Sequence, residues 1–164
     1  MTTVSVRRAE AADVSAMAAL NEAVQELHAS ARPDHFVSTS RAALELELTR
    51  ALGQSALKFW VAEVAAAIAG YAVVRVRSNE AGPYLEARLW WEIDQIGVDA
   101  ALRERGVARA LIEAIAQEAA DAGVASLELT CWAFNAEAGA AFEKLGFVPK
   151  MVRLERRLSQ SEPD

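Results

Sequence analysis

The sequence predicts a mixed α/β domain in which helices cover a largely antiparallel sheet. Three observations predict it. Short runs rich in β-branched and aromatic residues alternate with period two, and longer runs carry apolar stripes at spacings of three and four. Gly, Pro and Ala breaks separate them in the order β-α-α-β-β-β-α-β-α-β. Three consecutive strands in the middle favour hairpin pairing, and single helices join the later strands.

Residues 3–8 carry Val4 and Val6 in alternation and read as a strand. A helix follows over 13–29, with Asp13 at its cap or in its first turn. Val14, Met17, Leu20, Val24 and Leu27 form its apolar stripe. Arg32-Pro33-Asp34 breaks that helix. Ser40 opens a second one, with Leu44, Leu48 and Leu52 on one face and Gly53 at its end. Residues 57–64 and 68–77 read as a hairpin around a short alanine turn. After a loop at 79–83, residues 84–98 read as a long strand, bent or bulged at Gly97. Val107, Ala110, Leu111, Ala114, Ile115 and Glu118 mark a helix over 102–122. Leu127, Leu129 and Cys131 alternate in a strand over 124–132. Residues 136–145 form a helix closed by Gly146, and 147–158 a final strand.

At 164 residues the chain is long enough to bury a core of its own. The expected organisation is one domain over 1–158 and a polar tail over 159–164. Apolar residues make up 53% and charged residues 24%, which argues against disorder. The net charge of −6 disfavours a general nucleic-acid binder, which needs a clustered basic face. Apolar stretches are broken by charge well short of the ~20 residues that span a bilayer. No secretory pattern opens the chain, and the single cysteine, Cys131, has no partner for an intramolecular disulfide. A cytoplasmic location with no membrane partner is the expectation.

The informative stretch runs from Ile96-Gly97-Val98 through Arg103-Glu104-Arg105-Gly106-Val107-Ala108 to Leu111. It reads as a strand, a short loop and a helix start. N–H groups at a helix start lack internal acceptors, and the helix dipole adds positive potential there. Gly106 and Ala108 leave room for a phosphate to reach those donors, while Arg103, Arg105 and Arg109 add charge. No Gly-Lys-Ser/Thr follows, so this is not a Walker loop, and the three-glycine dinucleotide spacing is missing. A phosphate cradle and a helix start packed on the sheet both fit this loop taken alone.

Arg103-x-x-Gly106-x-Ala108 resembles the coenzyme A loop of the GNAT acetyltransferases, Gln/Arg-x-x-Gly-x-Gly/Ala. Asn135-Ala136, then Phe142, then Gly146-Phe147 resembles that family's second signature, and Val6-Arg7-Arg8-Ala9 with Asp13 its opening strand and helix. The resemblance follows the whole chain in element order and is most specific over 94–147. It implies a GNAT-like sheet, with helices on both faces and two parallel central strands splayed apart, here near 93–98 and 126–132. It implies acetyl-CoA as co-substrate, its pantetheine arm paired with the first of those strands through backbone groups of Ile96 and Val98, flanking Gly97. The pyrophosphate would then sit on N–H groups from Arg103 to Ala108. Asn135 matches a cofactor-contacting position; a helix N-cap is equally good chemistry for it. A homodimer is a further family expectation.

The implied reaction is attack of a neutral amine on a thioester. An alkylamine with a pKa of about 10.4 is mostly protonated at neutral pH, so a proton acceptor is needed. Glu92 and Asp94 lie two apart and thus on one face of the long strand. At about 3.3 Å per residue they lie roughly 20 and 13 Å from Val98, in the zone of the thioester. Glu92 also matches a position where some members keep a general base. Both also read as ordinary solvent-facing strand residues. Gln95 points to the other face by alternation.

Phe142 departs from the pattern, which often has Tyr there to protonate the leaving thiolate; Phe has no proton to give. Water, or the Cys131 thiol, is the alternative donor, and Cys131 also reads as a small buried residue. His28, His35 and Phe36 flank the Arg32-Pro33-Asp34 break, which forms the acceptor-side wall in the family; polar surface histidines are the plainer reading. Trp90 shares the Glu92 face and either lines the acceptor site or packs in the core or a dimer. The expected partner is a small-molecule or peptide amine, with no metal site. A catalytically weak acyl-CoA sensor on the same fold is the alternative function.

Overall fold

The computed structural model describes residues 3–158. The polar tail expected at 159–164 lies outside them. Strands β1 (Val4–Arg8), β2 (Leu57–Val64), β3 (Ala67–Asn79), β4 (Arg88–Val98) and β5 (Leu127–Leu129) form one sheet in that order. Helices α1 (Val14–Ala31), α2 (Arg41–Leu52), α3 (Val107–Asp121) and α4 (Ala136–Lys144) accompany it. The first three strand pairs are antiparallel, and β4 and β5 are parallel.

Strand alternation sorts the core into two layers. Trp60, Ala62, Ala72, Val74, Trp91 and Ile93 point to α3, where Val107, Leu111 and Ile115 meet them. Phe59, Val61, Tyr71 and Val73 point to α1 and α2, against Val14, Met17 and Leu48. Helices thus cover both faces, as expected. The β2–β3 hairpin turns on Ala65 and Ala66, both at positive φ. That is the twist a two-residue hairpin needs, reached here without glycine.

Four elements differ from the sequence reading by three residues or more. β4 begins at Arg88 rather than 84, because β3 ends at its partner Asn79. The helix expected from 102 begins at Val107, since Glu104 (φ 61°) and Gly106 (φ 83°) take left-handed conformations that interrupt it. The strand expected over 124–132 shrinks to Leu127–Leu129, because β4 pairs with it only from Trp91 to Ile93. The strand expected over 147–158 is absent; that segment has no regular structure.

The bulge in β4 is also displaced. Val73 pairs with Gln95 and Val74 with Ile93, so Asp94 is the extra residue, not Gly97. Gly97 has a different reason to be small. A Cβ there would lie 2.7 Å from Tyr71 Cε1 and 3.6 Å from Leu20 Cβ. It admits α1 and Tyr71 close to β4.

Asp13 does not cap α1 through its side chain. It is buried and ties the first turn to β1. Arg7 donates to both carboxylate oxygens at 2.7 and 2.9 Å, and the Glu10 N–H donates at 2.7 Å. The Arg7 bonds hold its carboxyl below the ordinary range, overcoming burial, with help from the Glu10 N–H. Asp13→Ala should lower the Tm by roughly 5 °C, taking about 2 kcal/mol for a buried carboxylate removed from charged hydrogen bonds. Because the folded pKa is depressed, this stabilisation is complete above the unfolded value of about 3.9 and is lost as pH falls through the folded value. Thermal melts of the two proteins should therefore converge in acid; a constant gap down to low pH would contradict the assignment.

Candidate active site

The bulge at Asp94 sits where β4 and β5 part. Their last paired residues are Ile93 and Leu129, and beyond them a gap opens between the strands. Asp99 N–H donates to Ala69 O on β3 at 2.9 Å. Alternation back along β4 then turns Gly97 toward β3 and leaves the backbone N–H and C=O of Ile96 and Val98 facing the gap.

Beyond Val98 the chain makes a turn of 3-10 helix at Ala100–Leu102, capped by Asp99, whose carboxylate accepts from Ala101 N–H at 2.9 Å. Arg103, Glu104, Arg105 and Gly106 then lead into Val107 and Ala108, the first residues of α3. No backbone acceptor for the N–H groups of Arg103 to Arg109 lies within hydrogen-bonding geometry among the described residues. A Cβ on Gly106 would meet nothing within 4 Å, so the front of this nest is open. Left-handed residues alternating with ordinary ones turn successive N–H groups toward one point, a known anion-binding shape. Arg103 and Arg109 are more than half exposed, in 3.5 Å ion pairs with Glu137 and Glu113. A diphosphate fits this cradle.

Asn135 caps α4, its side-chain oxygen accepting from Ala138 N–H at 3.3 Å. Cys131 is exposed rather than buried, with Sγ 3.7 Å from the carbonyls of Trp132 and Asn135. Partial desolvation by its neighbours nevertheless pushes the thiol up from its ordinary value, so it stays protonated at neutral pH. Phe142 meets Phe147 edge-on at 5.9 Å and packs against the α3-side core.

Glu92 and Asp94 share the face turned to α1 and α2. Arg77 Nε donates to Glu92 Oε2 at 2.8 Å, and Arg75 Nη2 to Asp94 Oδ2 at 2.9 Å. Neither arginine was singled out by sequence. Their positions two apart on β3, a hairpin neighbour of β4, were the available signal. Glu128, the register partner of Glu92 on β5, is a third carboxylate here. Burial raises its pKa, but hydrogen bonds from Lys150 and Arg88 more than offset that and hold it low.

Gln95 corrects the alternation argument. The bulge puts it on the same face as Asp94. Its Oε1 accepts from buried Asn21 Nδ2 at 2.7 Å and from Tyr71 Oη at 3.2 Å. Burial holds that phenol protonated, well above its ordinary range. Asp94, Gln95 and Arg75 line a cavity of about 90 Å³ closed by Glu47, Leu48 and Phe59 among others. It has room for several waters.

α1 crosses β4 with Leu20 near Gly97 and Asn21 on Gln95, so its C-terminal end overhangs the gap. There the structure brings His28, His35 and Phe36 together with Trp132 and Phe134, which follow β5. His28 meets Phe36 and Phe134 at 5.0 and 5.5 Å, and His35 meets Trp132 at 4.8 Å. Trp132 and Phe134 were missed because an aromatic in a loop carries no periodicity. Trp90 does not join this cluster; it lies under the Arg88 guanidinium at 4.3 Å.

A parallel strand pair thus splits beside an open N–H cradle. The chain belongs to the acetyltransferase (GNAT) family, whose model matches residues 21–147. No curated protein gives a match. Among solved structures, a mutant of the BH1408 protein from Bacillus halodurans superposes with a TM-score of 0.89 at 25% identity, over 94% of this chain and 99% of that one. The aminoglycoside N-acetyltransferase AAC(6')-Iy in complex with CoA gives 0.71 at 18% identity, over 96% of each chain. The aminoglycoside 6'-N-acetyltransferase AAC(6')-IG from Acinetobacter haemolyticus gives 0.69 at 18%, over 94% and 99%.

Proposed function

We propose that this chain is an acetyl-CoA-dependent N-acetyltransferase acting on a primary amine of a small molecule or peptide by direct attack. The observation that carries the reading is the cradle at 103–109, open in front of Gly106 and placed at the end of the gap that Ile96 and Val98 face. Acetyl-CoA supplies the thioester carbonyl that the amine attacks. Backbone N–H groups of Arg103, Glu104, Arg105, Gly106, Val107 and Ala108 hold the diphosphate, and the Asn135 amide nitrogen is left to face the same ligand. Ile96 and Val98 present strand hydrogen bonds to the pantetheine arm.

On the acceptor side, Glu92 takes the proton of the amine, directly or through water. Asp94 fronts the cavity beside it and holds the amine or the relaying water. His28, His35 and Phe36 wall the gap, so an acceptor with an apolar or aromatic part suits them. An exposed, unpaired thiol suits a reducing compartment, and the cytoplasm is the proposed location.

Thiol release from acetyl-CoA across a panel of amines, polyamines, aminoglycosides and N-terminal peptides tests this. Turnover on at least one class is expected. Saturable coenzyme A binding with no turnover on any would favour the sensor reading, which Phe142 and the two arginine-tied carboxylates support. Phe142→Tyr should change turnover less than tenfold, because a thiol of pKa about 8.5 leaves readily without an acid. A large gain with a new alkaline limb near the tyrosine pKa of about 10 would show that the wild-type site lacks an acid.

A further inference from the structure

One lysine of this chain stands where an amine acceptor would stand. In the parallel pair β4–β5, Glu92 and Glu128 are direct register partners, so their side chains lie next to each other on one face of the sheet. They stand one residue short of the point where the strands part. Both are half-buried, with 24% and 23% of the side chain exposed. Lys150 Nζ donates to Glu128 Oε1 at 2.6 Å. Its ammonium thus sits beside the mouth of the gap, next to the residue proposed as the base.

The segment that carries Lys150 is fixed at its other end too. Glu155 accepts from Arg32 Nη2 at 3.1 Å, and Arg157 Nη2 lies 3.4 Å from Asp34 Oδ2. Arg32 in turn lies over the Trp132 ring, 5.3 Å from its centre. Residues 150–157 therefore run from β5 to the turn after α1, along the aromatic wall on the acceptor side. The other two lysines of the chain are placed differently. Lys58 pairs in register with Val74, on the α3 face of the sheet, and its Nζ lies 5.1 Å from the Trp91 ring centre. Lys144 ends α4 and is exposed. Among the described residues, Lys150 alone of the three bonds a carboxylate.

We propose that Lys150 is an acetyl acceptor of its own chain, taking the acetyl group of acetyl-CoA bound along the β4–β5 gap. This self-acetylation rests on the acetyl-transfer reading above. The lysine nitrogen forms a C–N bond to the thioester carbonyl carbon, and the C–S bond breaks. Of the two protons that the ammonium loses, one passes through Glu128 Oε1 to water and the other ends on the coenzyme A thiol. Arg88 and Ser126 also bond Glu128, so its carboxylate keeps its place when Lys150 turns away. Tethering supplies the rate, because a side-chain rotation replaces a diffusional encounter. Acetylation removes the positive charge, and with it the ion pair that holds the segment on β5.

The full chain should be incubated with acetyl-CoA and no amine, and its peptides weighed over time. Lys150 should gain an acetyl group at least about tenfold faster than Lys58 or Lys144, since only it is tethered at the gap. Its rate should stay constant over about a hundredfold range of protein concentration, because the step lies within one chain. Gly106→Glu should bring Lys150 down to the rate of the other two. The acetyl ester of N-hydroxysuccinimide, which carries no diphosphate, should reverse the order in the absence of acetyl-CoA. Lys150 should react slowest with it, because Glu128 holds its nitrogen. Equal labelling of the three lysines by acetyl-CoA would overturn the proposal. So would labelling that survives Gly106→Glu, a rate that rises with protein concentration, or Lys150 leading with both reagents. An unmodified Lys150 would overturn it as well. With turnover on a free amine, the acetyl-transfer reading then stands alone; with none on any amine, both fall. The three lysines of the wild-type chain decide the question even if Gly106→Glu fails to fold.

Discussion

Gly106→Glu should abolish coenzyme A binding while the protein still folds. Titrated with coenzyme A, the wild-type protein should gain Tm, since a ligand that binds only the folded state stabilises it. The variant should gain none. Two effects act at this position. Gly106 has φ 83°, where a side chain costs about 1–2 kcal/mol, so some stability is lost whatever the substituent. A Cβ would project into open space, so the loss is local strain and not a clash. The larger effect is on the ligand. A glutamate there fills the front of the cradle and sets a negative charge against the diphosphate. Losing even two hydrogen bonds to a charged group, at about 1.5–3 kcal/mol each, weakens binding by at least about a hundredfold. Gly106→Ala separates the two effects: it carries the strain without the charge and should retain a reduced shift. If Gly106→Glu keeps the full thermal shift, the diphosphate does not sit at 103–109.

What was legible in the sequence follows from range. The β2 boundaries, the cap and end of α2 and the Gly146 stop after α4 are set by neighbours within a few residues, and the sequence reading has them. The left-handed turn at Gly106 is local in the same sense, since its shape comes from that glycine and the adjoining helix start. The β4 bulge was not. Alternation places Gln95 opposite Asp94, but the extra residue is fixed by the β3 register and by Asn21 and Tyr71, which are 74 and 24 residues away in sequence. The lengths of β5 and of the missing final strand failed likewise. A strand exists only where a partner offers hydrogen bonds. β5 loses its partner where β4 bends away, and 148–158 has no backbone partner among the described residues. The two arginines on Glu92 and Asp94 became visible only with the β3–β4 register.

Glu92→Gln should lower turnover by about a hundredfold at pH 7, within the range for loss of a general base. The substitution is shaped to test only the proton. A glutamine keeps an oxygen for the Arg77 Nε–H, now 2.8 Å from Glu92 Oε2, so the β3–β4 contact survives. What it lacks is a carboxylate able to take a proton from the amine. The sign of the pH dependence follows. An amine of pKa about 10.4 is about one part in 2,500 neutral at pH 7 and far more so at pH 9. The deficit should therefore shrink as pH rises, because the substrate arrives already deprotonated. Asp94→Asn should act differently. Its carboxylate fronts the cavity with Gln95, so its loss should raise KM for the amine more than it lowers kcat. If Glu92→Gln turns over at the wild-type rate while Asp94→Asn loses a hundredfold in kcat, the two roles are exchanged. If neither variant slows the reaction at pH 7, the proton goes to solvent, and the arginine-tied carboxylates serve only to fix β4 against β3.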